Sequence, residues 1–478
     1  MVSALAAAHV RDDRDVRENA ALTRGSGHAL LAKHRPGARV THGRVREDLL
    51  SDVSRVAAAL APAAFEGEEV LVLCHDRYRF AVALLAAWHR GLVVALPPST
   101  QPEMVRAIRQ RDRVRTVLHD VRESPGLDVA ALLEASAHEA HPPVELAPIE
   151  ASRHIVVVYT SGTTGAPLAC PKTAAQLLGE AEVLARTFGL DEHETILATV
   201  PPHHIYGLLF GLLVPLVGGS SFVRETHLHA EPLAALWNGE RATTLVSVPA
   251  HLRALAVLDP TAFEARPRNV FSSGAALPEA TSVMLHERFG WRVTEVLGSS
   301  ETGGIGYRTA VIEAGASPSP FLALDGVTVS EGEGGRMVVD SPFLDPDVPR
   351  PFVSADRVVV VDSRRFIHLG RADGVVKVGG TRVSVQEIEA RLLAIPGVTD
   401  AVVWAVPVGG ARGHETRAAV AGRDATGALL THEALRRELL KWLEPVVVPR
   451  RIRVLDALPR EPTGKLRRDA LEALFAGR

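Results

Sequence analysis

The chain has 478 residues, 53 basic side chains against 56 acidic ones, and two cysteines, Cys74 and Cys170. Its near-neutral charge excludes a strongly basic nucleic-acid-binding surface, and a hydrophobic content of 46% excludes a disordered chain. Two cysteines cannot build a disulfide framework or a CxxC-type zinc site.

The opening segment, MVSALAAAHV, is apolar but short and lacks a basic lead, so it does not read as a secretory signal. Val70–Cys74 reads as a buried strand, Tyr78–Arg90 as the helix after it and Val93–Leu96 as the next strand. The same rhythm returns at Ile155–Tyr159, Thr195–Thr199, Thr244–Val248, Val270–Ser273 and Thr294–Leu297. Between them, the apolar stretch Gly207–Val223 is broken by Pro215 and by glycines, and reads as a buried helix followed by a strand, not as a membrane span. A cytoplasmic protein is expected. Short apolar strands alternating with helices argue for parallel α/β sheets.

From about Phe321 turn residues crowd together, and Val327–Val329, Arg336–Val339, Arg357–Val361 and Phe366–Leu369 read as strands of a β-rich module spanning about 321–370. An α+β unit follows: helix Val383–Leu393, strand Val398–Val406, helix His432–Leu443 and strand Arg451–Val454. The expected fold is therefore α/β. Residues 1–370 form a large N-terminal domain of parallel α/β sheets plus the β-rich module, and 371–478 form a small C-terminal α+β domain, with the boundary in the turn Gly370–Gly374.

Tyr159-Thr-Ser-Gly-Thr-Thr-Gly165 follows a buried strand. Its glycines let backbone N–H groups approach an anion, and its hydroxyls add uncharged donors. By composition alone such a run is as readily a plain turn, and it lacks the Gly-Lys-Ser/Thr of a Walker loop. With Pro167 beyond it, however, the segment resembles the signature loop of the adenylate-forming acyl and aryl acid ligases, which include acyl-CoA synthetases, peptide-synthetase adenylation domains and luciferases. Further segments resemble that family's motifs in its order. His203-His-Ile-Tyr-Gly-Leu208 is similar to the aromatic/His substrate motif, and Ser272-Ser-Gly-Ala-Ala-Leu277 to the adenine-side loop. Leu297-Gly-Ser-Ser-Glu-Thr-Gly303 resembles the YGxTE motif. Asp356 with Gly370–Gly380 resembles the ribose aspartate and hinge motifs, and Pro459-Arg-Glu-Pro-Thr-Gly-Lys465 the catalytic-lysine motif.

The resemblance implies that a carboxylate and ATP give acyl-AMP and pyrophosphate, and that a thiol then takes the acyl group. Two anions must meet in the first step, so a cation touching both lowers the barrier selectively. The family's pattern gives that catalytic role to Lys465, a compact point charge. It places Glu301 and Thr163 at Mg²⁺, which prefers a carboxylate together with phosphate oxygens, and directs the Thr302 hydroxyl to the α-phosphate. Thr160, Ser161, Gly162, Thr163, Thr164 and Gly165 are expected to cradle phosphate, and Ser273, Gly274, Ala275 and Ser299 to hold the adenylate. Asp356 is expected to bind the ribose with Arg371 beside it. Asp373 reads as the hinge of a mobile C-terminal domain, and Lys377 either moves to the site in the second step or stays a solvated edge residue.

Departures from the pattern narrow the substrate. No aspartate stands in Pro202–Leu208 to pair an ammonium, so an α-amino acid is not expected. His204 and Tyr206 suit an aromatic acid, with Phe210, Val248, Ser273, Gly298 and Gly304 shaping the pocket. Leu168 follows Pro167 where the family has lysine, and the nearest lysine is Lys172, which could reach the phosphates by a bulged path. This spacing resembles a bacterial subgroup tied to aryl-polyene and xanthomonadin-type pigments, which activates hydroxybenzoate-like acids for an acyl carrier protein. The acceptor is a carrier protein or CoA, and the Arg-rich stretch Arg436–Arg453 could serve either. A fatty or hydroxy-acyl substrate, a nucleotide-binding partner without turnover, and oxygenation of the adenylate remain open alternatives.

Only five of the basic residues are lysines: Lys33, Lys172, Lys377, Lys441 and Lys465. A site that keeps lysine in so arginine-rich a chain is one where a compact ammonium is expected to matter.

Overall fold

The computed structural model describes residues 27–475 except 62–64, 66, 99, 101, 122–124, 136–140, 162–166, 228, 314–318, 346–347, 372–374, 379–380, 409–413, 442, 444, 446–447 and 462–465. Numbering the strands of its three principal sheets, the first holds β1 (Glu69–Val72), β2 (Val93–Leu96), β3 (Val114–His119), β4 (Leu127–Asp128), β5 (His154–Ser161) and β6 (Pro167–Thr173), in the order β4-β3-β1-β2-β5-β6. All are parallel except β6, which returns antiparallel from the signature loop. Helices α1 (Arg46–Ala59) and α2 (Arg77–His89) pack against each other beside this sheet. Residues Phe80 to Trp88 of α2 are all buried, and Trp88 Nε1 donates to Ile155 O at 2.8 Å. Helix α3 (Ala174–Phe188) starts at a Thr173/Gln176 capping box and stops at Gly189, whose φ of 63° only glycine adopts readily.

The second sheet comprises β7 (Thr195–Ala198), β8 (Ser221–Phe222), β9 (Thr244–Ser247), β10 (Asn269–Ser272), β11 (Val293–Ser299), β12 (Gly303–Thr309), β13 (Phe321–Ala323), β14 (Thr328–Glu331), β15 (Arg336–Asp340), β16 (Phe352–Val360) and β17 (Arg365–Arg371). Their order is β8-β7-β9-β10-β11-β12-β13-β17-β16-β15-β14. Strands β7 to β11 are parallel; every pair from β11–β12 onward is antiparallel. The β-rich stretch after Phe321 therefore hydrogen-bonds onto the edge of the α/β sheet through β12 and β13. Helices α4 (Pro249–Ala256) and α5 (Glu279–Phe289) connect its parallel strands. The third sheet, β18 (Val398–Pro407), β19 (His414–Gly422) and β20 (Arg451–Leu455), closes its own core with α6 (Val385–Leu393) and α7 (His432–Leu439) around Ile388, Val403, Val420 and Leu435.

The expected strands recur with ends shifted by a residue or two. Two elements differ more: the strand expected from Arg357 already begins at Phe352, and the helix from His432 stops at Leu439. The apolar stretch after Pro202 is helical at Ile205–Leu208, widens into a π-helical turn at Leu209–Leu213, resumes as helix at Val214–Gly218 and runs into β8. Among the described residues no helix is long and apolar enough to cross a membrane.

One buried side chain ties the two large sheets together. Arg77, at the start of α2, donates to Val223 O at 2.7 Å, Val200 O at 2.9 Å and Ala198 O at 3.1 Å, all at the carboxyl ends of β7 and β8. Burial lowers its pKa to about 10, still far enough above neutrality to keep the charge.

Candidate active site

Because β7, β9, β10 and β11 run parallel in register, Ala198 lies beside Val246, Ser247 beside Ser272 and Ser272 beside Glu295. Their carboxyl ends consequently share one edge, where ligands bind in open α/β sheets. His203, His204 and Tyr206 follow β7, Val248 follows β9, Ser273, Gly274 and Ala275 follow β10, and Gly298 and Ser299 end β11. The fold thus gathers segments that are about a hundred residues apart in the chain. Gly274 turns with a φ of 84°, and Ser273 Oγ donates to Val296 O at 2.8 Å, pinning that turn to β11.

The His203–Tyr206 edge is rich in rings and carries no carboxylate. The His203 and His204 rings lie 4.2 Å apart, and burial, with His75 nearby, lowers the His203 pKa to about 4. His251 on α4, absent from the sequence reading, is also lowered to about 4 by burial, and its Nδ1 lies 2.8 Å from Thr199 Oγ1. Gly207 is required there, since a Cβ would stand 2.2 Å from Pro201 O. Tyr206 packs edge-on to Phe210 at 5.2 Å, and Phe210 continues to Phe271 at 4.9 Å. Phe210 is thereby core rather than pocket wall. The Tyr206 hydroxyl is buried and, although close to the Ser247 backbone, makes no hydrogen bond of good geometry among the described residues. Burial raises its pKa, so it stays protonated and an available donor.

The turn between β11 and β12 carries Ser299, Ser300, Glu301 and Thr302. Thr302 is 1% exposed, and its hydroxyl bonds to Ser299 Oγ at 3.0 Å and Gly303 O at 2.9 Å. The hydroxyl expected at the α-phosphate is thus taken up inside the turn. Superposing YGxTE on Leu297-Gly-Ser-Ser-Glu301 puts Ser300 at the hydroxyl position, a signal already present in the spacing. Gly304, expected in the pocket wall, is buried too: its N–H donates to Glu180 Oε1 at 2.6 Å, and a Cβ would meet Leu324 at 2.7 Å. The half-buried Glu301 carboxylate receives no hydrogen bond or ion pair from the described residues. A free carboxylate is a hard oxygen donor of the kind Mg²⁺ takes. No group of three or more His, Cys, Asp or Glu among the described residues could hold a metal, so phosphate oxygens would complete the coordination.

Lys172 does not follow a bulged path to the phosphates. It sits in β6, 2% exposed, and donates to Glu301 O at 3.1 Å and Phe343 O at 3.3 Å. The alternation of a strand puts Cys170 on the same face, and its Sγ donates to Ser300 O at 3.3 Å. The strand leaving the signature loop therefore touches the Glu301 turn directly.

Asp356 on β16 accepts from Ser354 Oγ at 3.0 Å, and its other oxygen lies 3.5 Å from His368 Nε2. His368 did not figure in the expectations drawn from the sequence. Arg371 on β17 is the register partner of Asp356, so these two sequence-selected residues adjoin. Thr160, Ser161, Arg371 and Lys377 are described as backbone in strands; Gly162, Thr163, Thr164, Gly165, Asp373 and Lys465 lie outside the described residues. Asp400 on β18 pairs with Arg460 at 2.8 Å and lies 3.8 Å from Arg253 on α4, linking the start of the Pro459–Lys465 motif to the large domain.

Known proteins resemble this chain in sequence and in fold. A family model described as AMP-binding enzyme matches residues 24–342, and one described as AMP-binding enzyme C-terminal domain matches residues 387–465. Sulfoacetate–CoA ligase of Cupriavidus necator is 28% identical over 467 residues, covering 88% of this chain and 90% of that one. A p-hydroxybenzoic acid–AMP ligase of Mycobacterium tuberculosis is 28% identical over 466 residues, covering 90% of this chain and 65% of that one. Among solved structures, ATP-bound MatB of Rhodopseudomonas palustris superposes with a TM-score of 0.76 at 21% identity, covering 94% of this chain and 96% of that one.

Proposed function

This chain belongs to the AMP-binding enzyme family, and from that membership we propose that it activates a hydroxybenzoate-like aryl acid as the acyl-adenylate and passes the acyl group to the thiol of an acyl carrier protein or CoA. It is an AMP-forming acid–thiol ligase and uses ATP with Mg²⁺. The single observation that carries the aryl reading is the His203–Tyr206 edge: two adjacent imidazoles, that of His203 held neutral by burial, a buried Tyr206 hydroxyl with no well-formed hydrogen bond among the described residues, and no carboxylate in Pro202–Leu208 to hold an ammonium. The p-hydroxybenzoic acid–AMP ligase relative supports it.

In the first step a carboxylate oxygen of the acid attacks the α-phosphorus, the bond to the bridging oxygen breaks and pyrophosphate leaves. Mg²⁺, when bound at Glu301, neutralises phosphate charge. Ser300 donates to the α-phosphate, and the signature loop Thr160–Gly165, including Thr163, cradles the phosphates. Ser273–Ala275 and Ser299 border the adenine, and Asp356, steadied by Ser354 and His368, accepts from the ribose with Arg371 adjoining. Lys465 bridges carboxylate and α-phosphate, bringing two anions within bonding distance. In the second step the thiol sulfur, having lost its proton, attacks the acyl carbon and AMP leaves. Residues 371–478 turn about Asp373 between the steps.

Pyrophosphate release from benzoates, cinnamates and fatty acids, each with CoA and with a carrier protein, tests this reading. Fastest release with a hydroxybenzoate, followed by its thioester, is expected. Release with fatty acids alone would replace the aryl assignment, and none with any acid would leave a nucleotide-binding protein without turnover.

A further inference from the structure

Every carbonyl of the Ser300–Gly303 turn receives a side-chain donor. Cys170 Sγ reaches Ser300 O at 3.3 Å, Lys172 Nζ reaches Glu301 O at 3.1 Å, Ser341 Oγ reaches Thr302 O at 3.2 Å and Thr302 Oγ1 reaches Gly303 O at 2.9 Å. The next residue, Gly304, gives its N–H to buried Glu180. Turns at a surface normally leave such carbonyls to water. Here three of the four donors come from outside the hairpin, two of them from β6.

An ammonium that is 2% exposed forfeits its hydration, a cost that an apolar residue at the same place would avoid. Lys172 offsets it with bonds to Glu301 O and Phe343 O and with the electrostatic attraction of Glu180. A compact ammonium can reach two carbonyls in different directions, whereas a planar guanidinium donates in one plane. That accounts for a lysine here in a chain where only five of 53 basic residues are lysine.

We infer that Lys172, assisted by Cys170, is a positioning residue: it holds the Ser300–Glu301 backbone so that the Glu301 carboxylate and the Ser300 hydroxyl face the nucleotide while Thr302 is turned inward. The lysine displaced from the signature loop acts on the metal ligand from behind rather than on the phosphates from in front. This inference rests on the proposed role of Glu301 as the Mg²⁺ ligand.

Lys172→Met keeps the length of the side chain and removes both bonds. Pyrophosphate exchange should show the Mg²⁺ concentration for half-maximal rate rising at least fivefold and kcat falling about tenfold, with KM for the acid within twofold of wild type. In a Glu301→Ala background the same change should cost less than twofold, because the two residues then act through one group. ATP titration calorimetry gives a readout without turnover: Mg²⁺ should strengthen ATP binding in the wild type and do so at least fivefold less in Lys172→Met. A folded Lys172→Met protein with unchanged Mg²⁺ dependence in both measurements, only its melting temperature lowered, overturns the inference. If Lys172→Met does not fold, Cys170→Ala decides: a two- to threefold Mg²⁺ shift that Cys170→Ser restores supports it, and wild-type Mg²⁺ dependence overturns it. A wild type that shows no exchange with any acid removes the proposed function but leaves the calorimetric comparison intact.

Discussion

Glu180, buried on α3, accepts the backbone N–H of Gly304 at 2.6 Å, so a helix of the first sheet supports the hairpin that carries Glu301 in the second. Burial raises the Glu180 pKa to about 7, against the opposing pull of the Gly304 N–H and Lys172. The unfolded chain releases this proton near the ordinary value of 4.5. Between those two pH values the folded state holds a proton that the unfolded state has lost, so stability falls as the pH rises through the window. The full effect is on the order of 3 kcal/mol. Glu180→Gln keeps an acceptor for Gly304 and abolishes the titration. Its melting temperature should match wild type near pH 5 and exceed it at pH 8; parallel curves across that range would contradict the assignment.

The roles proposed for Ser300 and Thr302 can be separated. Ser300→Ala should lower the kcat of pyrophosphate exchange on the order of a hundredfold, as loss of one transition-state donor does, with little change in melting temperature. Thr302→Val removes the bonds to Ser299 and Gly303 and should cost about 1–2 kcal/mol of stability. Kinetics and thermal scans on both variants check the pair, and a reversed pattern would restore Thr302 to the phosphate.

The Tyr206 hydroxyl is buried without a good partner, a cost that a ligand can repay. Tyr206→Phe should therefore hold or raise the melting temperature while raising KM for an aryl acid about tenfold, the value of one hydrogen bond to a charged group. A destabilised variant with unchanged KM would show the hydroxyl to be structural.

Lys465→Ala should reduce adenylation at least on the order of a hundredfold and leave the melting temperature within a degree or so of wild type. Lys465→Arg should not restore the rate, because a planar fork cannot replace a point charge between two anions. Adenylation retained in the alanine variant, measured as acyl-AMP formed in a single turnover, would dismiss the role.

The elements themselves were largely legible. Val93–Leu96 and Thr244–Val246 are continuous apolar or β-branched runs because parallel strands are covered on both faces, and turn residues mark their ends. The order of those strands was not, since pairing depends on contacts between segments far apart in the chain. Nor was the joining of the β-rich stretch to the large sheet through β12 and β13. At the site, the motifs named Glu301, Asp356 and the Ser273–Ala275 turn, whereas Glu180, His251, Ser354 and His368 belong to no motif. Glu180, His251 and His368 each matter through a neighbour supplied by another element, and Ser354 through Asp356 two residues on in the same strand.

By itself the sequence determined which chemical groups are present, their order and the local turns that present them: a hydroxyl-rich loop after a strand, a carboxylate after Ser300, a lysine after Gly464. The strand Pro167–Thr173 itself appears only in the structure, and its alternation puts Cys170 and Lys172 on one face. Only the tertiary structure decided what that face meets. Hydrophobicity and period two are the same whether a strand turns toward nucleotide, solvent or another backbone, and here β6 turns Lys172 onto the carbonyl of Glu301. Thr302 is buried in the same way, with Ser341 donating to its carbonyl and Glu180 holding the following Gly304, and Ser300 stands as the hydroxyl before the carboxylate.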